Sequence, residues 1–178
     1  MNQPRNDQQS QPQNRQRNEQ RNEQHDQPQS QQQLEAIPFL SLNGRAAEAI
    51  EFYRRTLDAQ VLLKVSYAEM AKMDPHFHYE KGQEHHITHS VLQIGSTKLM
   101  VAEEPMDPTR SWSAGNDFSL CLQSRDHETI VRMYDQLTKD ERTTVLVPLA
   151  ANSFSSGYGA VRDPFGIVFQ FTVTRHAF

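Results

Sequence analysis

The chain has 178 residues, a formal net charge of −4, one cysteine and one tryptophan. That length holds one ordinary domain with a core of normal size, the mild acidity offers no basic footprint for nucleic acid, and no run of about 18 apolar residues exists to span a membrane. The lone Cys121 cannot form an internal disulfide, which fits a reducing cytoplasm.

From Met1 to Gln33 the chain reads "MNQPRNDQQSQPQNRQRNEQRNEQHDQPQSQQQ", with no apolar side chain after the initiator. Such a segment cannot bury enough surface to offset the entropy of ordering, so residues 1–33 are expected to be a disordered, solvated tail that can be removed without loss of fold. Its Arg5, Arg15, Arg17 and Arg21 are matched by Asp7, Glu19, Glu23 and Asp26. The tail is therefore a poor nucleic-acid arm and a poor targeting helix, and its glutamine content leaves self-association as the sharper reading.

The folded region is expected over 34–176. "LEAIPFLSL" reads as a strand ending at Asn43-Gly44, and Ala46, Ile50, Tyr53 and Leu57 then mark one face of a helix. "AQVLLKVSYAEM", from Ala59 to Met70, reads as one continuous second strand, and "HITHSVLQIG" and "STKLMVAEE" as two strands joined across Gly95-Ser96. After a link containing Pro105, Pro108 and Gly115 the order begins again. "DFSLCLQS" is a strand in which Cys121 reads as a small buried hydrophobe rather than a nucleophile; Asp126 is a candidate cap for a helix with Ile130, Met133, Tyr134 and Leu137 on one face. "TTVLVPL", "SGYGAVRD" and "IVFQFTVT" supply three more strands.

A shift of 80 residues lays "LSLNGRAAEAIEFYRRTL" on "LCLQSRDHETIVRMYDQL": Leu40 meets Leu120, Arg45 meets Arg125, Glu48 meets Glu128, Ile50 meets Ile130 and Leu57 meets Leu137. The matches fall on the same helix face and the same preceding strand, which marks an internal duplication. The expected fold is α+β, with two tandem βαβββ modules over about 34–104 and 116–176 whose curved sheets form a shared cleft for a small molecule.

With "FLSLNGRAAEAIEFYRRTLDAQV", "ITHSVLQIGSTKLMVAEE" and "VPLAANSFSSGYGAVRDPFGIVFQF" in this order, the chain resembles the PhnB-like branch of the vicinal oxygen chelate superfamily, which includes glyoxalase I, extradiol dioxygenases and bleomycin-resistance proteins. The resemblance runs from about Pro38 to Thr174. It implies, in the enzymes, a divalent metal held by one ligand from the first and one from the last strand of each module, acting as a Lewis acid on vicinal substrate oxygens. Carried onto this chain those positions fall at Pro38 or Phe39, at Met100 or Ala102, at Phe118, and at Gln170 in place of a glutamate. None is an imidazole or a carboxylate, so no metal and no other cofactor is expected. Nor does a glycine-rich strand-to-helix turn exist to cradle a nucleoside cofactor of a methyltransferase.

His76, His78, His85 and His86 crowd a polar link with the density of a metal site, although exposed histidines there need no explanation. His89 is different, since strand alternation places it with Val91 and Gln93 opposite Ser90, Leu92 and Ile94. The resemblance supports a cleft position for His89, as a proton shuttle, a ligand partner or a structural hydrogen-bonding group. Further candidate ligand-binding residues are Gln93, Trp112 as lid or loop anchor, Ser155 and Tyr158 on "NSFSSGYG", and Gln170; Arg162 and Asp163 read as a structural salt bridge or an Asp-Pro turn. Three functions remain in view: a binder of an unidentified small molecule with a degenerate metal site, a metal-independent or unconventional-metal enzyme using His89 as acid or base, and an interaction scaffold. A symmetric homodimer is expected, with the link from Glu103 to Asn116 closing within one chain or exchanging a module, and no nucleic acid or membrane as partner.

Overall fold

The computed structural model describes residues 34–115 and 117–175, so the expected tail, the first residue of the second module and the end of the domain at 176 lie outside the described residues. From Ile37 onward the chain forms one compact unit. Its elements are β1 (Phe39–Ser41), α1 (Ala46–Thr56), β2 (Gln60–Ser66), α2 (Tyr67–Met73), β3 (Ile87–Ile94), β4 (Thr97–Ala102), β5 (Ser119–Ser124), α3 (His127–Thr138), β6 (Thr144–Ala150), β7 (Tyr158–Arg162) and β8 (Val168–Val173). They build two four-stranded sheets with the orders β1-β4-β3-β2 and β5-β8-β7-β6. In each, the first strand runs parallel to the last and the remaining pairs are antiparallel. These are the two tandem modules, and among the described residues no helix is long and apolar enough to cross a membrane.

One expected strand is shorter than the sequence suggests. The run from Ala59 to Met70 ends at Ser66, where a helix starts: the Ser66 hydroxyl accepts the Glu69 N–H at 3.3 Å and the Glu69 carboxylate accepts the Ser66 N–H at 2.8 Å. This reciprocal capping box was present in the letters as Ser-x-x-Glu, but the branched residues before it masked the change of period. The 20 residues from Tyr67 to His86 are an insertion in the first module, because only 151–157 separate β6 from β7.

The apolar periodicity of α1 buries Ala46, Ala49, Ile50, Phe52 and Tyr53, and that of α3 buries Ile130, Tyr134 and Leu137. Both faces join Leu40, Leu92, Leu99, Val101, Phe169 and Phe171 in one core, so the two modules bury their helices together. The motifs at the two ends of the domain meet there. Tyr53, from "EAIEFY", packs edge-on against Phe165 and Phe169 at 6.0 and 5.6 Å, and its hydroxyl donates to Asp163, from "RDPFG", at 2.7 Å. Arg45 lies 4.6 Å over the Phe165 ring and donates to the Pro164 carbonyl at 2.8 Å. Asp163 does cap a turn, as expected, accepting the N–H groups of Phe165 and Ile167 at 2.9 and 2.8 Å. With its third side-chain bond, from Tyr53, unseen in the sequence, the turn becomes the bolt between modules of a single chain.

Candidate functional site

With one face of each sheet packed on the helices, alternation turns the other face away from the core. On β8, Phe169, Phe171 and Val173 are buried, while Val168, Gln170 and Thr172 are half-buried on the second face. Register places Gln170 beside Cys121 of β5 and Ala160 of β7, with Tyr158 opposite Thr172. The amide of Gln170 is held from both sides: its Nε2 donates to the Ser119 hydroxyl at 2.7 Å and its Oε1 accepts the Tyr158 hydroxyl at 3.1 Å. Those bonds explain why a polar side chain is tolerated in an apolar strand, since a buried amide without partners would cost roughly 1–3 kcal/mol. They also leave an amide N–H, an amide lone pair and the Ser119 O–H available to a ligand. Phe154, exposed, packs edge-on against Tyr158 at 5.3 Å and extends the site with an aromatic wall.

The metal-ligand positions can now be placed by register. Leu40 pairs with Val101, and Leu120 with Phe169, so Ala102 is the counterpart of Gln170 and Phe39 that of Ser119. Phe118 lies before β5 and is exposed; Ser119, one residue on, is the side chain that touches Gln170. The donor set is thus a hydroxyl and an amide bonded to each other, a methyl group and a phenyl ring. It carries no anionic or imidazole donor and does not fit a divalent cation.

Other candidates separate cleanly. His89, Val91 and Gln93 do share the second face of the first sheet, opposite Val65, Leu63 and Gln60 of β2, and the Gln93 amide donates to the Gly95 carbonyl at 3.0 Å across the β3–β4 turn. Trp112 anchors the link, donating to the Ser41 carbonyl at 3.0 Å on the free edge of β1 and bordering a cavity of about 320 Å³ with Met106 and Arg110. Ser155 is corrected: it is fully buried, accepts the Gly157 N–H at 3.1 Å, and lies 2.9 and 2.8 Å from the Gly157 and Val173 carbonyls, so it clasps the end of β8 instead of meeting a ligand. Cys121 is corrected as well. It is exposed, because it falls on the face opposite the helix, with its Sγ 3.8 Å from the Thr172 hydroxyl.

Of the link histidines, His86 packs on Tyr67 at 5.4 Å within a group completed by Phe77 and Tyr79, and His85 packs on His86. Among the described residues no three His, Cys, Asp or Glu side chains converge on a possible metal position. Sequence reasoning missed Ser119 and Phe154. Parity with Cys121 along β5 signals Ser119, but only once the register with β8 is known. Burial raises the Tyr53 hydroxyl well above its usual range, helped by the Asp163 charge, and raises Asp163 above the usual carboxylate value despite its hydrogen bonds. Both groups serve the module junction, away from Gln170.

Residues 39–171 match the description Glyoxalase/Bleomycin resistance protein/Dioxygenase superfamily. Protein YjdN of Escherichia coli (strain K12) is 28% identical over 143 residues, covering 78% of this chain and 94% of that protein. The crystal structure of PA1353 from Pseudomonas aeruginosa aligns with a TM-score of 0.65 at 21% identity, over 79% of this chain and 97% of that one. A Bacillus cereus structure described as a putative 3-demethylubiquinone-9 3-methyltransferase, PhnB protein, aligns with a TM-score of 0.59 at 20% identity, over 78% and 98%.

Proposed function

This chain belongs to the glyoxalase/bleomycin resistance protein/dioxygenase superfamily, and from that premise we propose that it is a small-molecule-binding member in which a hydrogen-bonding platform stands where the enzymes hold a metal. The observation that carries the reading is the Gln170 amide, fixed between Ser119 and Tyr158 with a donor and an acceptor to spare. A neutral amide recognises a neutral polar group, such as a carbonyl or a hydroxyl, without the desolvation cost of a buried charge. Phe154 and Tyr158 offer apolar area beside it. The ligand class is therefore an uncharged amphiphile with an aromatic or alkyl body. The exposed Cys121 thiol fits work in a reducing cytoplasm.

Thermal shift against a panel of neutral aromatic amides, alcohols and quinones tests this. Ligands present at about 100 times their Kd should stabilise the protein by about 2.7 kcal/mol, and equally with and without EDTA. Gln170→Leu should lower affinity at least tenfold, about 1.4 kcal/mol, while leaving the unliganded melting point nearly unchanged because the site is only half-buried. Stabilisation that appears only on adding a divalent metal would contradict the proposal.

A further inference from the structure

The duplication sets two equivalent strand edges side by side for comparison. β1 and β5 are each the outer strand of their sheet, with a single neighbour, and the shift of 80 residues lays Ser41 on Cys121. The N–H and C=O of one strand residue point to the same side, and those of the next residue to the other. The Leu42 N–H donates to the Ala102 carbonyl at 3.0 Å and the Ser124 carbonyl accepts the Thr174 N–H at 2.9 Å, so Ser41 and Cys121 both turn their peptide groups outward. At the β1 edge the Trp112 indole N–H occupies the Ser41 carbonyl at 3.0 Å, and its ring borders two cavities of about 320 and 200 Å³, each walled also by Ile167. The β5 edge has no such ring. Among the described residues no donor is bonded to the Cys121 carbonyl, and the space beside it is one cavity of about 430 Å³. Leu99 walls that cavity in the place of Ile167, its counterpart by register, since Phe39 pairs with Met100 and Ser119 with Val168; Leu122, Ile130 and Met133 complete an apolar lining.

We infer that the cavity at the β5 edge is a second binding site, for a small N–H heteroaromatic of the indole class, which lies against β5 as Trp112 lies against β1. The chain's own tryptophan shows what such an edge accepts: a flat apolar ring with one donor aimed at the outward carbonyl. An indole carries both features in one molecule. The volume falls within the roughly 300–1,000 Å³ of small-molecule pockets, and the lining contains no acidic side chain to disfavour an electron-rich ring. This site is separate from the Gln170 platform, because Phe169 lines the cavity while Gln170, the next residue of β8, lies on the opposite face of the sheet.

The single cysteine makes the contact directly observable. Full-length protein labelled with cysteine carrying ¹³C at its carbonyl gives one cysteine carbonyl resonance, that of Cys121. A fluoroindole followed by ¹⁹F NMR should saturate one site and shift that resonance, whereas its N-methyl derivative, which has no donor, should bind about tenfold more weakly and leave the resonance in place. Met133→Trp and, independently, Thr97→Trp fill the cavity from two different elements and should abolish both responses with circular dichroism unchanged. Gln170→Leu should preserve them. No saturable binding of the fluoroindole, equal affinity for the N-methyl derivative, or binding that both tryptophan variants retain would each overturn the inference. Binding retained in those variants but lost in Gln170→Leu would assign the indole to the other site.

Discussion

Asp163→Ala is expected to destabilise the fold by about 3–5 kcal/mol, a fall of roughly 10 °C in Tm for a domain of this size. The substitution strands the buried Tyr53 hydroxyl and the N–H groups of Phe165 and Ile167, all of which the carboxylate now satisfies. It also loosens the turn on which Arg45 rests, so the loss falls on the junction between modules. Asp163→Asn separates hydrogen bonding from charge. Because burial raises the folded-state pKa of Asp163 above its unfolded value, the stability it contributes is fully present below the unfolded pKa near 3.8 and is lost as pH rises through the raised folded value. Asparagine keeps the two backbone bonds through its Oδ1 and turns the Tyr53 contact round, its Nδ2–H donating to the phenol oxygen, without that loss. Chemical denaturation across pH 3 to 8 should therefore show the Asn variant at least as stable as the parent at pH 7, with its relative advantage disappearing below about pH 4. A parent that gains stability over the Asn variant as pH rises would show that the ionised carboxylate is the favoured form.

Glu103→Ala is the second large effect, expected at about 2–3 kcal/mol. Helix α1 begins at Arg45, whose side chain makes no cap, and the buried Glu103 carboxylate at the end of β4 takes the N–H groups of Gly44 and of Ala46, the latter at 3.0 Å. It completes the helix start from 57 residues away in sequence and sets a negative charge at the positive end of the helix dipole. The other long helix, α3, uses its own Asp126, which accepts the Glu128 N–H at 3.1 Å. Urea unfolding should show Glu103→Gln recovering a large part of the loss, since its amide oxygen can still accept. Equal losses for Ala and Gln would assign the effect to charge alone.

The architecture was legible because its signals are local. The four-, three- and four-residue spacing of α1, the alternation of β3 and the repeat of both at a shift of 80 residues each depend on neighbours in the chain. What stayed hidden depends on register and on contacts between distant segments. Tyr53 and Asp163 are 110 residues apart, and nothing in either motif says that they touch. The position carried over to Phe118 missed Ser119 by one residue, which in a strand is the difference between two faces. Cys121 followed the apolar character of its strand into an expected core position, yet the strand buries only alternate residues. Ser155 looked available on a glycine-bounded loop; its hydroxyl is consumed in closing that loop on β8. Gln170 was the exception, because a lone amide among apolar neighbours already demanded a partner.

The most direct test of a hydrogen-bonding platform in place of a metal centre is the side-chain amide signal of Gln170 in a ¹⁵N NMR spectrum, assigned by its loss in Gln170→Leu. Mn²⁺ titrated to one equivalent should leave that signal unbroadened, and a neutral ligand found by thermal shift should move it in EDTA. Selective broadening at stoichiometric Mn²⁺, with no response to ligand until metal is added, would contradict the account.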